Sequence, residues 1–363
     1  MTQSQIGVSP EGKRWSMMSR VLRWAGRIAL GLLALVLVAG LSGTAWEQWE
    51  RGQARVHYKP SGKLVDIGGG RRIHIDCRGH GSPTVVFEAG LDTNGALAWS
   101  AVHDQVARTT RACAYDRAGI VGSDDKTGPH DADGVARDLH AALAAAGEGH
   151  PYVLVGHSIG GPYIMDYTRL YPDEVAGLVF VDATHPDQLK RFKAAKLPGG
   201  ETNNSALIAM QIASRTGLIR LLSGAQPGPK GVPAATWAES RAMMPQSYPA
   251  MIAEGKAIVA TLDEAGRLRS LGDRPLVVLS ATKPLPAMMI TASGTTADQY
   301  HRMRAISKDL HTDEASWSSR GRRQEVPDSG HYIQFNRPDL VIAAVNEVVG
   351  EVRAGKPAKP PEH

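Results

Sequence analysis

Residues 151–161 read PYVLVGHSIGG, an apolar and mostly β-branched run that breaks into a serine boxed by glycines. The run has the make-up of a buried strand, and the residues after Ser158 continue as a helix to Pro172. The chain must therefore pass from strand to helix almost at once. A turn that sharp leaves no space for bulky flanking side chains, so glycine stands at Gly156 and Gly160. It also pushes the Ser158 hydroxyl out at the carboxyl end of the strand, and it places the Ile159 N–H at a helix N-terminus.

Around this turn, strand and helix patterns alternate. KLVDIGG (63–69) and RRIHIDC (71–77) predict a strand pair. PTVVFEAG (83–90) predicts a buried strand, WSAVHDQVART (99–109) a helix, and TRACAYD (110–116) a strand. GVARDLHAALAAAG (134–147) predicts a helix closed by Gly147. GLVFVD (177–182) and RPLVVLSA (274–281) predict two more buried strands. RQEVPDSGHY (323–332) reads as a last strand and loop, and 338–352 as a last helix. Such alternation implies a mostly parallel sheet with helices on both faces. Residues 186–273 interrupt it with helical and loop-like sequence, placed as a cap above the carboxyl ends of the strands. Met210, Met243, Met244 and Met251 suit an adaptable apolar pocket there, or simply a methionine-rich core.

The ends of the chain differ from its middle. The formal charge is +5, yet residues 1–27 carry a net +4 and 351–363 a net +1, so residues 28–350 sum to zero. A neutral body argues against nucleic-acid binding. The basic start leads into an uncharged run, Ile28 to Trp46, long enough as a helix to cross about 28 Å of bilayer. Arg20, Arg23 and Arg27 on its flank favour a cytoplasmic N-terminus and a body on the other side. Two readings stay open: an uncleaved signal anchor, which the length of the run favours, or a signal peptide cut after Ala45, giving a secreted or periplasmic product. Residues 47–60 then read as a polar linker, 61–350 as the main domain, and 351–363 as a disordered tail.

Serine needs a base. Of the 13 histidines, His331 stands out, on the loop Asp328-Ser329-Gly330-His331 between the last strand and the last helix. Nucleophile, then acid, then histidine is the chain order this architecture uses. His157 adjoins Ser158, but its side chain diverges, so it reads as a packing or hydrogen-bonding residue. A second oxyanion donor belongs on the loop after PTVVFEAG. The Leu91 N–H is the candidate, with Gly90 letting a substrate approach the backbone closely. His185-Pro186-Asp187 lacks further ligands at sensible spacing and reads as structural, so no metal or cofactor is expected.

Together, PTVVFEAGLD, CAYDRAGIVGSD (113–124), VLVGHSIGG, GLVFVDATHPDQ (177–188) and SGHYIQFNRPDLV (329–341) resemble the serine hydrolases of the α/β-hydrolase fold, and a membrane-tethered or exported subgroup in particular. The resemblance covers roughly 61–350. It implies an eight-stranded, mostly parallel sheet with a helical cap after strand six, and a Ser158, His331 and acid set acting on a small-molecule acyl substrate. The chain departs from the family over the acid. The loop after the seventh strand, ATKPLP, holds no Asp or Glu before Asp298. A known variant places the acid at the end of the sixth strand, which here is Asp182. Neighbouring strands lie about 4.8 Å apart, so Asp182 would emerge beside Ser158; Asp187 is the weaker substitute. The implied strand order also makes Cys77 and Cys113 neighbours, either as a disulfide or as two buried thiols. A serine rather than an aspartate at the elbow argues against dehalogenase or epoxide-hydrolase chemistry. An ester-like acyl bond is the expected target. Acyl transfer, carbon–carbon hydrolysis or non-catalytic ligand sensing on the same fold are the alternatives.

Overall fold

The computed structural model describes residues 10–58, 61–199, 204–224, 228, 232–292 and 294–355. The first nine residues of the basic N-terminus, residues 59–60 and tail residues 356–363 lie outside these.

Helix α1 spans Pro10–His57. Strands β1 (Lys63–Asp66) and β2 (Arg72–Arg78) form an antiparallel pair. Next come β3 (Thr84–Glu88), α2 (His103–Ala107), β4 (Ala112–Tyr115), α3 (Ala132–Ala146), β5 (Tyr152–His157), α4 (Gly160–Leu170) and β6 (Val175–Val181). Five helices follow: α5 (Gln188–Ala194), α6 (Asn204–Arg215), α7 (Leu218–Ser223), α8 (Ala234–Lys256) and α9 (Ile258–Ala265). The chain closes with β7 (Leu276–Ala281), α10 (Ala287–Ala292), α11 (Ala297–Ser316), β8 (Gly321–Val326), α12 (Ile333–Asn336) and α13 (Pro338–Arg353).

The eight strands form one sheet in the order β1-β2-β4-β3-β5-β6-β7-β8, parallel from β4 to β8. Alternate side chains of each strand feed opposite cores. Leu154 of β5 packs with Leu139, Leu143 and Ile164 of α3 and α4 on one face. Val153 and Val155 pack with Trp99, Val106, Val341 and Val345 on the other. Local signals set the helix ends. Asp131 accepts a hydrogen bond from the Gly134 N–H at the start of α3, and Gly147 ends that helix at φ 77°. Thr296 and Gln299 close a reciprocal capping box on α11. Cys77 and Cys113 face each other across β2 and β4 and form a disulfide.

Three sequence expectations need correction. Residues 351–353 belong to α13, not to a disordered tail, because the apolar face that packs Val345, Val348 and Val349 carries the helix on to Arg353. The stretch 99–109 is not one helix. A 3-10 turn buries Trp99, and only His103–Ala107 is α-helical. The apolar spacing of Trp99, Val102 and Val106 imitates a helix, but those residues are buried by a turn. Nor is 47–57 a linker, because α1 runs unbroken to His57. Glu47 and Arg51 face protein, while Gln48, Gln53, Arg55 and His57 stay exposed. Glu47 is fully buried and takes a two-pronged ion pair from Arg220 at 2.8 and 2.9 Å. Arg51 donates to Glu47 at 2.9 Å and to the carbonyls of Ser214 and Pro245.

Candidate active site

The carboxyl ends of the parallel strands carry the residues singled out above. Ser158 follows β5 in the left-handed region at φ 55°, a conformation non-glycine residues adopt rarely and at a cost. The flanking glycines are sterically required. A Cβ on Gly156 would lie 2.6 Å from the Gly160 carbonyl oxygen, and one on Gly160 would lie 2.6 Å from that of Glu88. The Ser158 N–H donates to Val181 (3.3 Å) and its carbonyl accepts from Thr184 (2.8 Å), which ties the elbow to the end of β6.

Asp182 emerges from β6 in the same strained region, at φ 45°. Its N–H donates to Leu279, and its Oδ1 accepts from the Ala281 N–H at 2.8 Å. Its Oδ2 accepts from His331 Nδ1 at 2.7 Å. Burial pushes the Asp182 carboxyl up, but the His331 hydrogen bond and nearby charge outweigh it and hold the group below its usual value. Asp187 sits elsewhere, paired with Arg269 at 3.0 Å. The geometry therefore joins Asp182, and not Asp187, to His331.

With Nδ1–H committed to Asp182, a neutral His331 carries its lone pair on Nε2. His331 and Ser158 line the same cavity, of about 320 Å³. No Ser158–His331 hydrogen bond is formed among the described contacts; such bonds often tighten only when substrate arrives. His157 does not reach the hydroxyl either. Burial and the neighbouring His331 press it down to about 3, so it is neutral, and its Nε2–H donates to the His331 carbonyl at 3.0 Å. It braces the backbone of the candidate base.

The loop after β3 passes directly beside Ser158. A Cβ on Gly90 would meet Ser158 Cβ at 3.2 Å and His157 Nδ1 at 2.8 Å. Leu91 follows at once. Ile159 starts α4 as its N-cap residue.

Sequence reasoning missed what holds this loop in place. Arg117 is buried and donates to the carbonyls of Ala89 (2.8 Å) and Gly90 (2.7 Å), to Glu88 (2.7 Å), and through two nitrogens to Glu254 of α8. Arg117 lies within the quoted CAYDRAG motif, but nothing in the sequence marks Glu254 as its partner. A second cavity, of about 440 Å³, touches His331 from its other side and is lined by Leu97, Trp237, Met244, Tyr332 and Phe335. Of the four methionines, only Met244 lines it. Met243 is buried against Ala54 and Ile120, and Met210 and Met251 line neither cavity.

Two carboxylate or thiol groupings among the described residues have metal-like spacing. In one, the sulfurs of Cys77 and Cys113 are spent on each other. In the other, Asp166 is already paired with Arg169 at 2.7 Å.

A serine presented on a glycine-flanked strand–helix turn, with a histidine and an acid at neighbouring strand ends, defines an α/β hydrolase. The chain belongs to the alpha/beta hydrolase family, whose pattern matches residues 35–344. Among curated relatives, the uncharacterized protein YbdG of Bacillus subtilis is 26% identical over 167 residues, 46% of this chain and 51% of that protein. The 2-(acetamidomethylene)succinate hydrolase of Mesorhizobium japonicum is 30% identical over 123 residues, 34% of this chain and 42% of that protein. The chain spans about half or less of the length of the curated relatives it matches. A solved thermophilic esterase from Thermogutta terrifontis superposes with a TM-score of 0.53 at 18% identity, covering 81% of this chain and 99% of that one, which shows the shared fold.

Proposed function

We propose that the protein is a serine hydrolase that cleaves an ester-like acyl bond in a small-molecule substrate. The observation that carries this is the 2.7 Å His331–Asp182 bond beside an elbow serine in the same cavity. Ser158 Oγ attacks the acyl carbonyl carbon as its proton passes to His331 Nε2. Asp182 fixes the imidazole tautomer and stabilises the imidazolium. The N–H groups of Leu91 and Ile159 take the negative charge on the tetrahedral oxygen. Collapse expels the leaving group, which takes the proton from His331. Water then attacks the acyl-enzyme as His331 takes its proton, and collapse returns that proton to Ser158 Oγ and releases the carboxylic acid. None of these steps requires a metal or cofactor. The two cavities flanking His331 give the two halves of a substrate separate places, one apolar and one edged by Arg304, Lys308 and Arg323.

The test is hydrolysis of short-chain p-nitrophenyl esters by wild type and Ser158→Ala. Turnover should fall at least a thousandfold in the variant. Equal turnover in both would remove Ser158 from the mechanism. Small-molecule binding with no turnover on an ester, lactone and amide panel would favour a sensor.

We further infer that α1 is a signal anchor and that the body lies on the non-cytoplasmic side. Among the described residues, one helical stretch, Arg20–His57, is long and apolar enough to cross a membrane. The arginines on its flank support that orientation, and the Cys77–Cys113 disulfide suits an oxidising compartment. Tags at both ends of the chain check this. Loss of the N-terminal tag from the mature protein would instead point to a cleaved signal peptide.

A further inference from the structure

The apolar helix does not simply tether the body. It docks into the insertion between β6 and β7 before its apolar run ends. A Cβ on Gly43 would lie 2.4 Å from the Thr216 carbonyl oxygen, in the turn between α6 and α7. Gly217, at φ 76°, packs its bare Cα against the Trp46 ring, which a Cβ would meet at 2.7 Å. One residue later, Glu47 receives Arg220 of α7. These contacts fix the depth of α6 and α7. Gly43 lies three residues inside Trp46, or about 4.5 Å along the helix axis. The α6–α7 turn therefore sits at the level where a bilayer's hydrocarbon gives way to headgroups.

What these helices show outward at that level is apolar apart from Arg215, exposed in the last turn of α6, whose long side chain can carry its charge to the headgroups. Leu218, Leu221 and Leu222 are 46%, 65% and 65% exposed. Their i, i+3, i+4 spacing puts them on one face of α7, while Arg220 is turned inward to Glu47. Ile208 and Ile212 of α6 are 55% and 58% exposed and share a face for the same reason. Trp49, 59% exposed, stands beyond the end of the apolar run, as interfacial tryptophans do.

We propose that α6 and α7 form an interfacial wedge. Their outward apolar face rests in the acyl–headgroup boundary of the bilayer that α1 crosses, at the C-terminal end of the span. The occupant of this face is phospholipid. The patch is continuous with the span: it begins where the body touches a residue still within the membrane-crossing run. It holds the insertion, and with it the α8 wall of the apolar cavity, against the lipid surface. The proposal rests on reading α1 as a membrane anchor.

The test uses the full chain in dioleoyl phosphatidylcholine vesicles, with single cysteines carrying an environment-sensitive fluorophore. The native cysteines are closed in a disulfide and do not compete. Labels go at Val36→Cys within the span, at Leu221→Cys and Leu222→Cys on the wedge, and at Asp309→Cys on α11 as the exposed control. Doxyl-labelled phosphatidylcholine is the quencher. Quenching at 36, 221 and 222 and none at 309 is the expected result. Quenching at 36 while 221 and 222 behave like 309 overturns the wedge and leaves the anchor standing. Quenching at 221 and 222 but not at 36 upholds lipid contact and overturns the anchor. No quenching at any of these positions overturns both. Self-quenching at 221 that rises with protein density, without doxyl quenching, assigns the face to a second copy of the chain and overturns the lipid proposal.

Discussion

Among the described residues, two histidine–aspartate pairs join Nδ1 to Oδ2 at nearly the same distance. His331 Nδ1 meets Asp182 Oδ2 at 2.7 Å, and His74 Nδ1 meets Asp116 Oδ2 at 2.8 Å. They differ at the other nitrogen. His74 Nε2 is spent on the Ser61 carbonyl at 2.7 Å, and its side chain is 8% exposed. The His331 side chain is 47% exposed and lines a cavity with Ser158. A carboxylate on one imidazole nitrogen thus orients the ring in both places. What can become a base is decided by whether the second nitrogen is left for a substrate. His74 faces two acceptors, so it holds both protons. Burial pulls its pKa down, but the Asp116 hydrogen bond and charge prevail and raise it to about 9.

The comparison breaks most visibly if the two aspartates are exchanged for asparagine. Asp182→Asn should cut kcat/KM about a thousandfold or more through loss of the tautomer and of imidazolium stabilisation. It should lower Tm only modestly: the stabilising Asp182 carboxylate is lost, but an amide oxygen can still accept from Ala281. Asp116→Asn should do the reverse. It strips a buried imidazolium of its partner and weakens the bonds from the Ala96 and Gly122 N–H groups. A loss of about 3–5 kcal/mol is expected, with turnover per folded molecule within a few-fold of wild type. Urea unfolding beside p-nitrophenyl ester kinetics reads both quantities. If Asp182→Asn and Asp187→Asn both stay within a few-fold of wild type, the assignment of the acid fails.

The Arg117 cluster sharpens the contrast, because it is charge with nothing left free. Arg117, Glu88 and Glu254 are 4%, 1% and 0% exposed at their side chains, and Tyr115 Oη also donates to Glu88. Burial pushes the Glu88 carboxyl up to about 7 against the pull of Arg117. Arg117→Met should cost about 3–5 kcal/mol, because two buried carboxylates lose their cation. The triple change Arg117→Met, Glu88→Gln, Glu254→Leu should recover much of that stability. It should not recover turnover, since the Ala89 and Gly90 carbonyls of the loop that leads to Leu91, the proposed oxyanion donor, stay unheld. Full activity in the triple variant would mean that the loop positions itself.

What the sequence shows and what it hides divide along the same line. The elbow is legible because strand, glycine and helix signals meet there, and His331 because it lies on the loop between the last strand and the last helix; Asp182 is expected only through the resemblance to a variant that carries its acid after the sixth strand. Asp116 and Arg117 are visible as part of CAYDRAG, but their tasks are not, since their partners lie on β2 and α8. Glu47–Arg220 and Arg117–Glu254 join positions 173 and 137 residues apart and leave no periodic trace. That is also why 47–57 reads as a polar linker. Glu47 and Arg51 look like solvated charges until the insertion folds over them.

The smallest expected effect is in the pH dependence of stability, and here the two pairs should differ in sign. His74 binds its proton more tightly folded (about 9) than unfolded (about 6.5), so folding is favoured by protonation. That contribution is complete below pH 6.5 and fades as pH rises through 9, by at most on the order of 3 kcal/mol. Asp182 is held below its unfolded value, so its contribution is present above about pH 4 and fades as pH falls. Unfolding free energy measured from pH 6.5 to 9.5 should therefore decline in wild type and in Asp182→Asn. It should be flatter, from a lower start, in His74→Gln. An unchanged slope in His74→Gln would show that the buried His74–Asp116 pair is not what titrates. The difference drawn between the two imidazoles would then have to rest on access to Ser158 alone.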